Sequence, residues 1–158
     1  MLDETDRELL RLLQRDAAMS YERLGKRLGL SKTAVWNRVQ RLGRDGYIRR
    51  QVALVDAERL GVGETVFVAI RTAQHSAGWL ERFMVAIREM PEIVEAHRLT
   101  GDVDYLLKVR VADTRAFDAF YKRLIERIDL FNVTSSLSME TLKETTEVPV
   151  PGAAPPPR

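Results

Sequence analysis

The segment LGKRLGLSKTAVWNRVQRLGRDGYI, residues 24–48, carries the most informative pattern of this 158-residue chain. Gly29 can end one helix, because glycine accepts the left-handed backbone conformation at a helix C-terminus. Ser31 follows and can cap the next helix, which the pattern predicts over 32–44. Gly46 then closes that helix. Two short helices joined by Gly-Leu-Ser match the spacing of a helix-turn-helix.

The residues before this segment complete a small helical domain. Residues 3–17 are predicted to form a first helix, with Asp3 as its cap and leucines spaced three and four apart along one face. Ser20 can cap the second helix. The pattern therefore predicts a helix-turn-helix domain of winged-helix-like type over residues 1–50.

The third helix has one apolar face and one polar face. Val35, Val39 and Leu42 share the apolar face, and Asn37 and Gln40 lie opposite, where their side chains can both donate and accept hydrogen bonds, as base edges require. Simple solvent exposure is the competing explanation. Trp36 could either touch DNA or cover the edge of the small core. The residues predicted to bind DNA are Ser31, Lys32, Thr33, Trp36, Asn37, Arg38, Gln40, Arg41 and Arg44.

The charge distribution supports a polyanion-binding end. Residues 20–50 hold 9 Lys/Arg and 2 Asp/Glu, whereas residues 51–158 hold 13 and 16. A basic block on a non-basic body is typical of nucleic-acid binding, although arginines on a solvated face would give the same count. Charge alone does not separate these interpretations, so the helix-turn-helix pattern decides between them.

The second half of the chain changes to an alternation of strands and helices. We predict strands over 64–72, 92–99, 104–111 and 133–144 and helices over 78–90 and 114–128. The order βαββαβ is the ferredoxin-like arrangement, so the fold class is α+β. Two helices can cover only one face of a four-stranded sheet, and the strands are apolar on both faces. The domain is therefore expected to dimerise through its sheet.

Three further segments complete the predicted organisation. Residues 47–56 read as a short strand or an extended connector, and residues 51–63 are assigned to a linker. The ferredoxin-like domain spans 64–146. Residues 147–158 contain five prolines and no hydrophobic period, which predicts a disordered tail.

The helix-turn-helix segment and HRLTGDVDYLLKVRV, residues 97–111, together resemble the Lrp/AsnC family of transcription regulators. The resemblance covers residues 2–144. It implies DNA binding by the first domain and dimers, often assembled into octamers, built by the second. It further implies that amino acids bind between dimers near a Gly-Asp-x-Asp-Tyr motif, here Gly101 to Tyr105. Gly43 departs from the glutamate that many relatives carry at this position.

This motif offers suitable chemistry for an amino acid. Gly101 lets backbone amides approach a carboxylate closely, and Asp102 or Asp104 can pair with an α-ammonium. Alternatively, Thr-Gly-Asp is only a tight hairpin turn that Asp104 caps. The residues predicted to bind the effector are Leu99, Thr100, Gly101, Asp102, Asp104, Tyr105, Thr134, Ser135 and Ser136.

The remaining features narrow the function classes. Absence of cysteine excludes disulfides, thiolate zinc sites and a Cys nucleophile, and fits a cytoplasmic protein. The family resemblance further implies that the protein is nucleoid-associated. The sequence contains no run of 18 apolar residues, so no membrane span is predicted. His75 and His97 lack metal-ligand spacing, so no metal, cofactor or catalytic residue is predicted.

Two alternatives to an amino-acid-responsive regulator remain. One is an architectural DNA-binding protein without an effector. The other is an enzyme, because siroheme decarboxylases resemble the same two-part architecture. In those enzymes, however, the corresponding hairpin tends to read Gly-His-Glu-Tyr-Asn, and this chain has no histidine in its hairpin.

Overall fold

The structure is a computed structural model that describes residues 1–74 and 76–152. Contacts between residues divide the chain into two compact units. The first unit contains Met1–Leu54 together with the C-terminal segment that starts at Lys143, and the second unit is Val55–Leu142.

The first unit is a three-helix domain whose helix ends follow from local sequence. Its helices are α1 (Glu4–Arg15), α2 (Tyr21–Leu28) and α3 (Lys32–Arg44). Asp3, Ser20 and Ser31 cap them, each accepting a hydrogen bond from a backbone N–H of the first turn. Gly29 ends α2 at φ 66°, the left-handed conformation that the sequence predicts. The predicted bounds of α3 are confirmed.

The core of this unit is made of aliphatic side chains from all three helices. Leu9, Leu24 and Val35 are fully buried, one from each helix, and Leu42 is nearly so. Because each helix alone is too short to be stable in water, their mutual burial holds the domain together. No strand follows α3 among the described residues 45–63, so the segment 47–56 is a connector and forms no wing.

The second unit has the predicted βαββαβ order. Its elements are β1 (Glu64–Arg71), α4 (Ala77–Glu89), β2 (Ile93–Arg98), β3 (Tyr105–Val111), α5 (Thr114–Arg127) and β4 (Asn132–Leu137). They form one antiparallel sheet in the order β2-β3-β1-β4. The predicted last strand over 133–144 is too long. It ends at Leu137, which pairs with Val66. Ser138 adds one further bond to the Thr65 carbonyl, and the register then soon runs past the start of β1 at Glu64.

The predicted buried face of α4 is confirmed for Phe83, which is buried, and for Leu80 and Ile87, which pack against the core, but it is wrong for Met84. The sequence pattern placed Leu80, Phe83, Met84 and Ile87 inward. In the structure Trp79 and Phe83 are buried and stacked with ring centroids 5.0 Å apart, whereas Met84 is 39% exposed. The large indole buries more apolar area than Met84 would, and its Nε1 donates to the Asp129 carbonyl at 3.0 Å, so burial leaves no polar atom unpaired.

Among residues 1–74 and 76–152, no helix covers the opposite face of the sheet, which is mixed in character. It presents Phe67, which is 38% exposed, and the half-buried Leu106. Beside them the Glu95 carboxylate contacts His97 at 3.3 Å and Lys108 at 3.2 Å. The hydrogen bonds to His97 and then Lys108 lower the pKa of Glu95 below its ordinary value.

The segments outside the regular elements divide between the two units. From Val55 onward the predicted linker groups with the second unit, where Arg110 Nη1 donates to the Gly63 carbonyl at 3.3 Å. The prediction of a disordered tail stays a prediction for 153–158, which lie outside the described residues. Glu147 and Val148, however, bond to α1, which the sequence pattern did not indicate.

Candidate DNA-binding surface and effector site

One face of α3 presents a continuous polar stripe to solvent. Thr33, Trp36, Asn37, Gln40 and Arg44 are all exposed, and their spacing of three and four residues aligns them along the helix. Trp36 is 49% exposed, so its ring is not part of the buried core, and its contact with DNA stays a prediction. The opposite face carries the buried Val35, Val39 and Leu42, as the sequence predicts. The stripe is a row of exposed, mostly hydrogen-bonding side chains on a helix that is anchored by its opposite face.

The start of α3 combines a cap with an open positive charge. The Ser31 hydroxyl accepts a hydrogen bond from the Ala34 amide at 3.1 Å, so it serves the helix first. Lys32 and Thr33 follow it and are exposed. The unpaired amides of the first turn attract phosphate oxygens, and Lys32 adds a charge at the same place.

Arg38 and Arg41, both predicted to contact DNA, are bound to acids of α1. Arg38 Nη1 lies 2.6 Å from Asp3 Oδ2 and 2.6 Å from Asp6 Oδ1. Arg41 Nη2 lies 2.6 Å from Asp6 Oδ1 and also 2.6 Å from Asp6 Oδ2. These ion pairs join α3 to α1, and the predicted contact of Arg38 and Arg41 with DNA stays a prediction.

Asp6 is the centre of this network, and sequence reasoning did not identify it. Its side chain is fully buried in the first unit. Burial raises the pKa of this carboxyl, but the hydrogen bonds from Arg41, the Asp3 backbone amide and Arg38 outweigh it, so the pKa lies below its ordinary value. The sequence pattern explained Asp6 only as an acid in the first turn of a helix. The signal in the sequence was an acid in the first turn of α1 together with two arginines on α3 that could pair with it.

An open groove lies beside α3, on the same side as this network. Its lining residues, all polar or charged except Trp36, are Asp3, Trp36, Asn37, Arg38, Gln40, Arg41 and Arg44. Arg44 is exposed there. The groove thus joins the hydrogen-bonding stripe to positive charge, the combination that base edges and a phosphate backbone require.

In the second unit, Asp104 fixes the turn between β2 and β3 to the end of β1. Asp104 Oδ2 accepts a hydrogen bond from the Thr72 amide at 2.8 Å, and the Asp104 amide donates to the Ile70 carbonyl at 3.0 Å. Its carbonyl accepts from the Leu99 amide at 2.8 Å. Thr72 is itself buried, so Asp104 satisfies a donor that water does not reach. The Asp104 side chain therefore has a structural role, but it joins the turn to the end of β1, which differs from the cap on the turn itself that was weighed as the alternative.

The tip of this turn is exposed to solvent, unlike the bonded Asp104. Asp102 and Thr100 are exposed, and Gly101 has φ 118°, which favours glycine. Within the described residues, the amides of residues 100–103 donate to no protein group. An exposed carboxylate next to free amides can bind both ends of a zwitterion.

The other predicted effector residues do not gather at this turn in the single chain. The Tyr105 ring is only 8% exposed and packs 4.6 Å from the Phe83 ring, so it belongs to the core. Thr134, Ser135 and Ser136 lie on β4, which is separated from β3 by β1, about 10 Å at ordinary strand spacing. The Ser135 side chain lies on the opposite face of the sheet from those of Thr134 and Ser136, because side chains alternate along a strand. On that face Ser135 lines a small cavity with Phe117.

The described part of the chain offers neither a metal site nor a membrane span. Residues 1–74 and 76–152 contain no group of three His, Asp or Glu side chains arranged to bind a metal. Across the same residues, no helix has the length and apolar character needed to cross a membrane. His75, the histidine excluded as a ligand by its spacing, lies outside the described residues.

The fold and the polar stripe define a two-part protein with a helix-turn-helix DNA-binding unit and an α+β unit. Comparison with protein families gives the same division. Residues 2–43 match the AsnC-type helix-turn-helix domain, and residues 65–148 match the Lrp/AsnC ligand binding domain. The chain belongs to the Lrp/AsnC family and is a DNA-binding transcription regulator.

Individual relatives agree over nearly the whole chain. The DNA-binding transcriptional activator DecR of Escherichia coli K12 is 45% identical over 151 residues, which cover 95% of this chain and 99% of DecR. The crystal structure of an AsnC family transcriptional regulator from Agrobacterium tumefaciens is 50% identical, with TM-score 0.90 and coverage of 94% and 97%. The regulator NMB0573 of Neisseria meningitidis, solved as a complex with L-Met, is 28% identical with TM-score 0.91 and coverage of 96% and 98%.

Proposed function

We propose that the stripe on α3 reads DNA sequence in the major groove. Asn37 and Gln40 are the central readers, because a carboxamide can bond in bidentate fashion to adenine. Thr33 extends the stripe toward the helix N-terminus, and Trp36 supplies apolar contact. The observation that carries this proposal is the exposure of these side chains on a helix whose opposite face is buried.

The basic residues of α3 have different roles toward the DNA phosphates, depending on whether each is already paired with a carboxylate of α1. Lys32 and Arg44 carry exposed charges and bind the DNA backbone directly. Arg38 and Arg41 act mainly through Asp6, which sets the position of α3 against α1. Arg38 is 27% exposed and Arg41 is 38% exposed, so part of each guanidinium still faces the groove.

The salt dependence of DNA binding tests this division. Replacing Arg44 with Gln removes one phosphate contact and lowers the slope of log affinity against log salt by about 1, equally on specific and random DNA. Glu22→Gln, an exposed change on α2, serves as the control and leaves the slope unchanged. An unchanged slope in Arg44→Gln refutes the proposed backbone contact.

We further propose that the turn at residues 99–104 binds an amino acid when a second copy of the chain completes the site. The Asp102 carboxylate pairs with the α-ammonium, and the free amides of the turn hold the α-carboxylate. Asp104 positions the turn through Thr72. The residues on β4 are too far from this turn to join it in one chain, so they contribute from a neighbouring subunit. The L-Met complex of the Neisseria regulator supports an amino acid as the ligand class.

A thermal-shift screen against the twenty amino acids tests the effector proposal. A ligand that binds the folded assembly raises its melting temperature. Calorimetric titration of the best ligand then compares the wild type with Asp102→Asn, which keeps the turn but removes the charge. We expect Asp102→Asn to weaken binding at least tenfold. If no amino acid shifts melting, the protein acts as an architectural DNA-binding protein without an effector.

Assembly follows from the face of the sheet that no helix covers. We propose that two chains dimerise through it, burying Phe67 and Leu106, and that dimers associate further to an octamer in the cytoplasm, on the nucleoid. A two-fold dimer would place its recognition helices on half-sites about 34 Å apart, or a multiple of that. Light scattering of the full chain at micromolar concentration tests this step, and a stable monomer would contradict it.

A further inference from the structure

The segment that follows the sheet binds the outer side of helix α1. The Gln14 side chain forms two hydrogen bonds with the backbone of Val148. Its Nε2 donates to the Val148 carbonyl at 3.2 Å, and its Oε1 accepts from the Val148 amide at 2.7 Å. A carboxamide that satisfies both backbone groups of one residue imitates the pairing of two strands, so the contact is specific for backbone position.

Neighbouring residues extend this contact in both directions. Arg15 Nε lies 3.2 Å from Glu147 Oε2. Further along, a Cβ placed on Gly152 would lie 3.4 Å from Arg7 Nε, so the backbone passes close to that side chain. Residues 147 to 152 therefore run along α1 from its C-terminal end toward its first turn.

The sequence of the segment prepares it for this extended path. Thr145 Oγ1 accepts a hydrogen bond from the Glu147 amide at 3.1 Å and orients the start of the segment. Pro149 and Pro151 fix φ, and each restrains the residue before it to an extended conformation. An already extended chain loses less conformational entropy on docking. Proline also leaves the Val148 amide as one of the few donors available to Gln14.

We propose that residues 145–152 are a strap that docks reversibly on α1 of the same chain. The polypeptide leaves the first unit at Leu54 and returns to it at Lys143. A docked strap thus gives the ligand-binding unit a second connection to the DNA-binding unit, in addition to the connector. Its contacts are exposed, with Arg15 at 53% and Glu147 at 43%, so the strap opens and closes easily. The partner surface is the Gln14–Arg15 end of α1.

Amide hydrogen exchange on the ¹⁵N-labelled full chain tests the strap without DNA or effector. We expect the Val148 amide to exchange about tenfold more slowly than in a free chain, the protection that one or two exposed hydrogen bonds supply. Gln14→Ala should remove this protection. Gln14→Glu should reduce it, because a carboxylate keeps the acceptor but cannot donate to the Val148 carbonyl.

Two controls make the result specific. The Ala18 amide donates to Asp16 Oδ1 at 3.0 Å next to the end of α1, so its exchange should not change in Gln14→Ala. Gln51→Ala, at an exposed glutamine of the connector, should leave Val148 protected. An unprotected Val148 amide in the wild type, or protection that survives Gln14→Ala, refutes the strap.

A mixing experiment separates docking within one chain from exchange between chains. Labelled wild-type chains are mixed and refolded with excess unlabelled Gln14→Ala chains. Protection of Val148 in the labelled chains is retained if their own Gln14 holds the strap. Loss of protection would assign the strap to α1 of a partner chain and overturn the proposal.

Discussion

Replacing Asp6 with Asn should destabilise the DNA-binding unit more than any exposed charge change does. The Asp6 carboxylate is fully buried and accepts hydrogen bonds from Arg38 and Arg41. Asn preserves the shape but removes the charge, and its amide group brings N–H donors toward two guanidinium groups that can only donate.

The magnitude follows from the exposure of the partners. Removing one member of a buried ion pair costs about 3–5 kcal/mol, because the other charge is left unpaired. Here Arg38 is 27% exposed and Arg41 is 38% exposed, so water can solvate both when Asp6 is lost. Screening of this kind reduces the cost to about 2–3 kcal/mol. The control Glu22→Gln breaks an exposed pair with Lys26 and should change stability by less than about 0.5 kcal/mol.

Thiol reactivity in urea measures this cost in the first unit alone. The chain has no cysteine, so Val35→Cys places a single thiol in the core of the three helices. Its labelling reports unfolding of this unit in the Asp6, Asp6→Asn and Glu22→Gln backgrounds. If Asp6→Asn lowers the free energy of unfolding by less than about 0.5 kcal/mol, the network does not hold α3 in place.

Three further results are expected. Hydrogen bonds from two arginines depress the folded-state pKa of Asp6. The contribution of Asp6 to stability is therefore fully present above the unfolded pKa near 3.8 and is lost as pH falls through the lower folded pKa. Urea midpoints of wild type and Asp6→Asn should converge only in that acid range. Asp104→Ala should cost about 1–3 kcal/mol in thermal or urea unfolding, because the buried Thr72 amide loses its acceptor. Asp104→Asn keeps an oxygen there and should cost less than about 1 kcal/mol. Equal costs would contradict the role given to Oδ2. Gly101→Ala should cost about 1–3 kcal/mol from backbone strain at φ 118°, since no atom lies within 4 Å of an added Cβ, and a neutral result would show that the turn relaxes.

The sequence predicted the helices and strands well because local signals agree with the final fold. Asp3, Ser20 and Ser31 cap the helices where the pattern placed them, and Gly29 ends α2. The end of β4 could not be predicted, because it depends on where its partner β1 begins. On α4, exposure of Met84 and burial of Trp79 were not predicted, because helical spacing alone does not fix the edge of the buried stripe.

The candidate sites were predicted less evenly, for physical reasons. Exposure of Asn37 and Gln40 follows from helical periodicity, so the stripe could be predicted. The bonds of Arg38 and Arg41 to Asp6 join residues more than thirty positions apart, and no local pattern reveals such partners. Tyr105 is a different case, because alternation along β3, a local pattern, directs its ring to the helical face and into the core.

DNA binding by the stripe variants tests the central claim most directly. Asn37→Ala and Gln40→Ala are each measured on a selected site and on scrambled DNA at two salt concentrations. Each variant should lose about 1–3 kcal/mol of discrimination between the two DNAs, while affinity for scrambled DNA and the salt slope stay unchanged. Wild-type discrimination in both variants would contradict the assignment of this face of α3 to sequence reading.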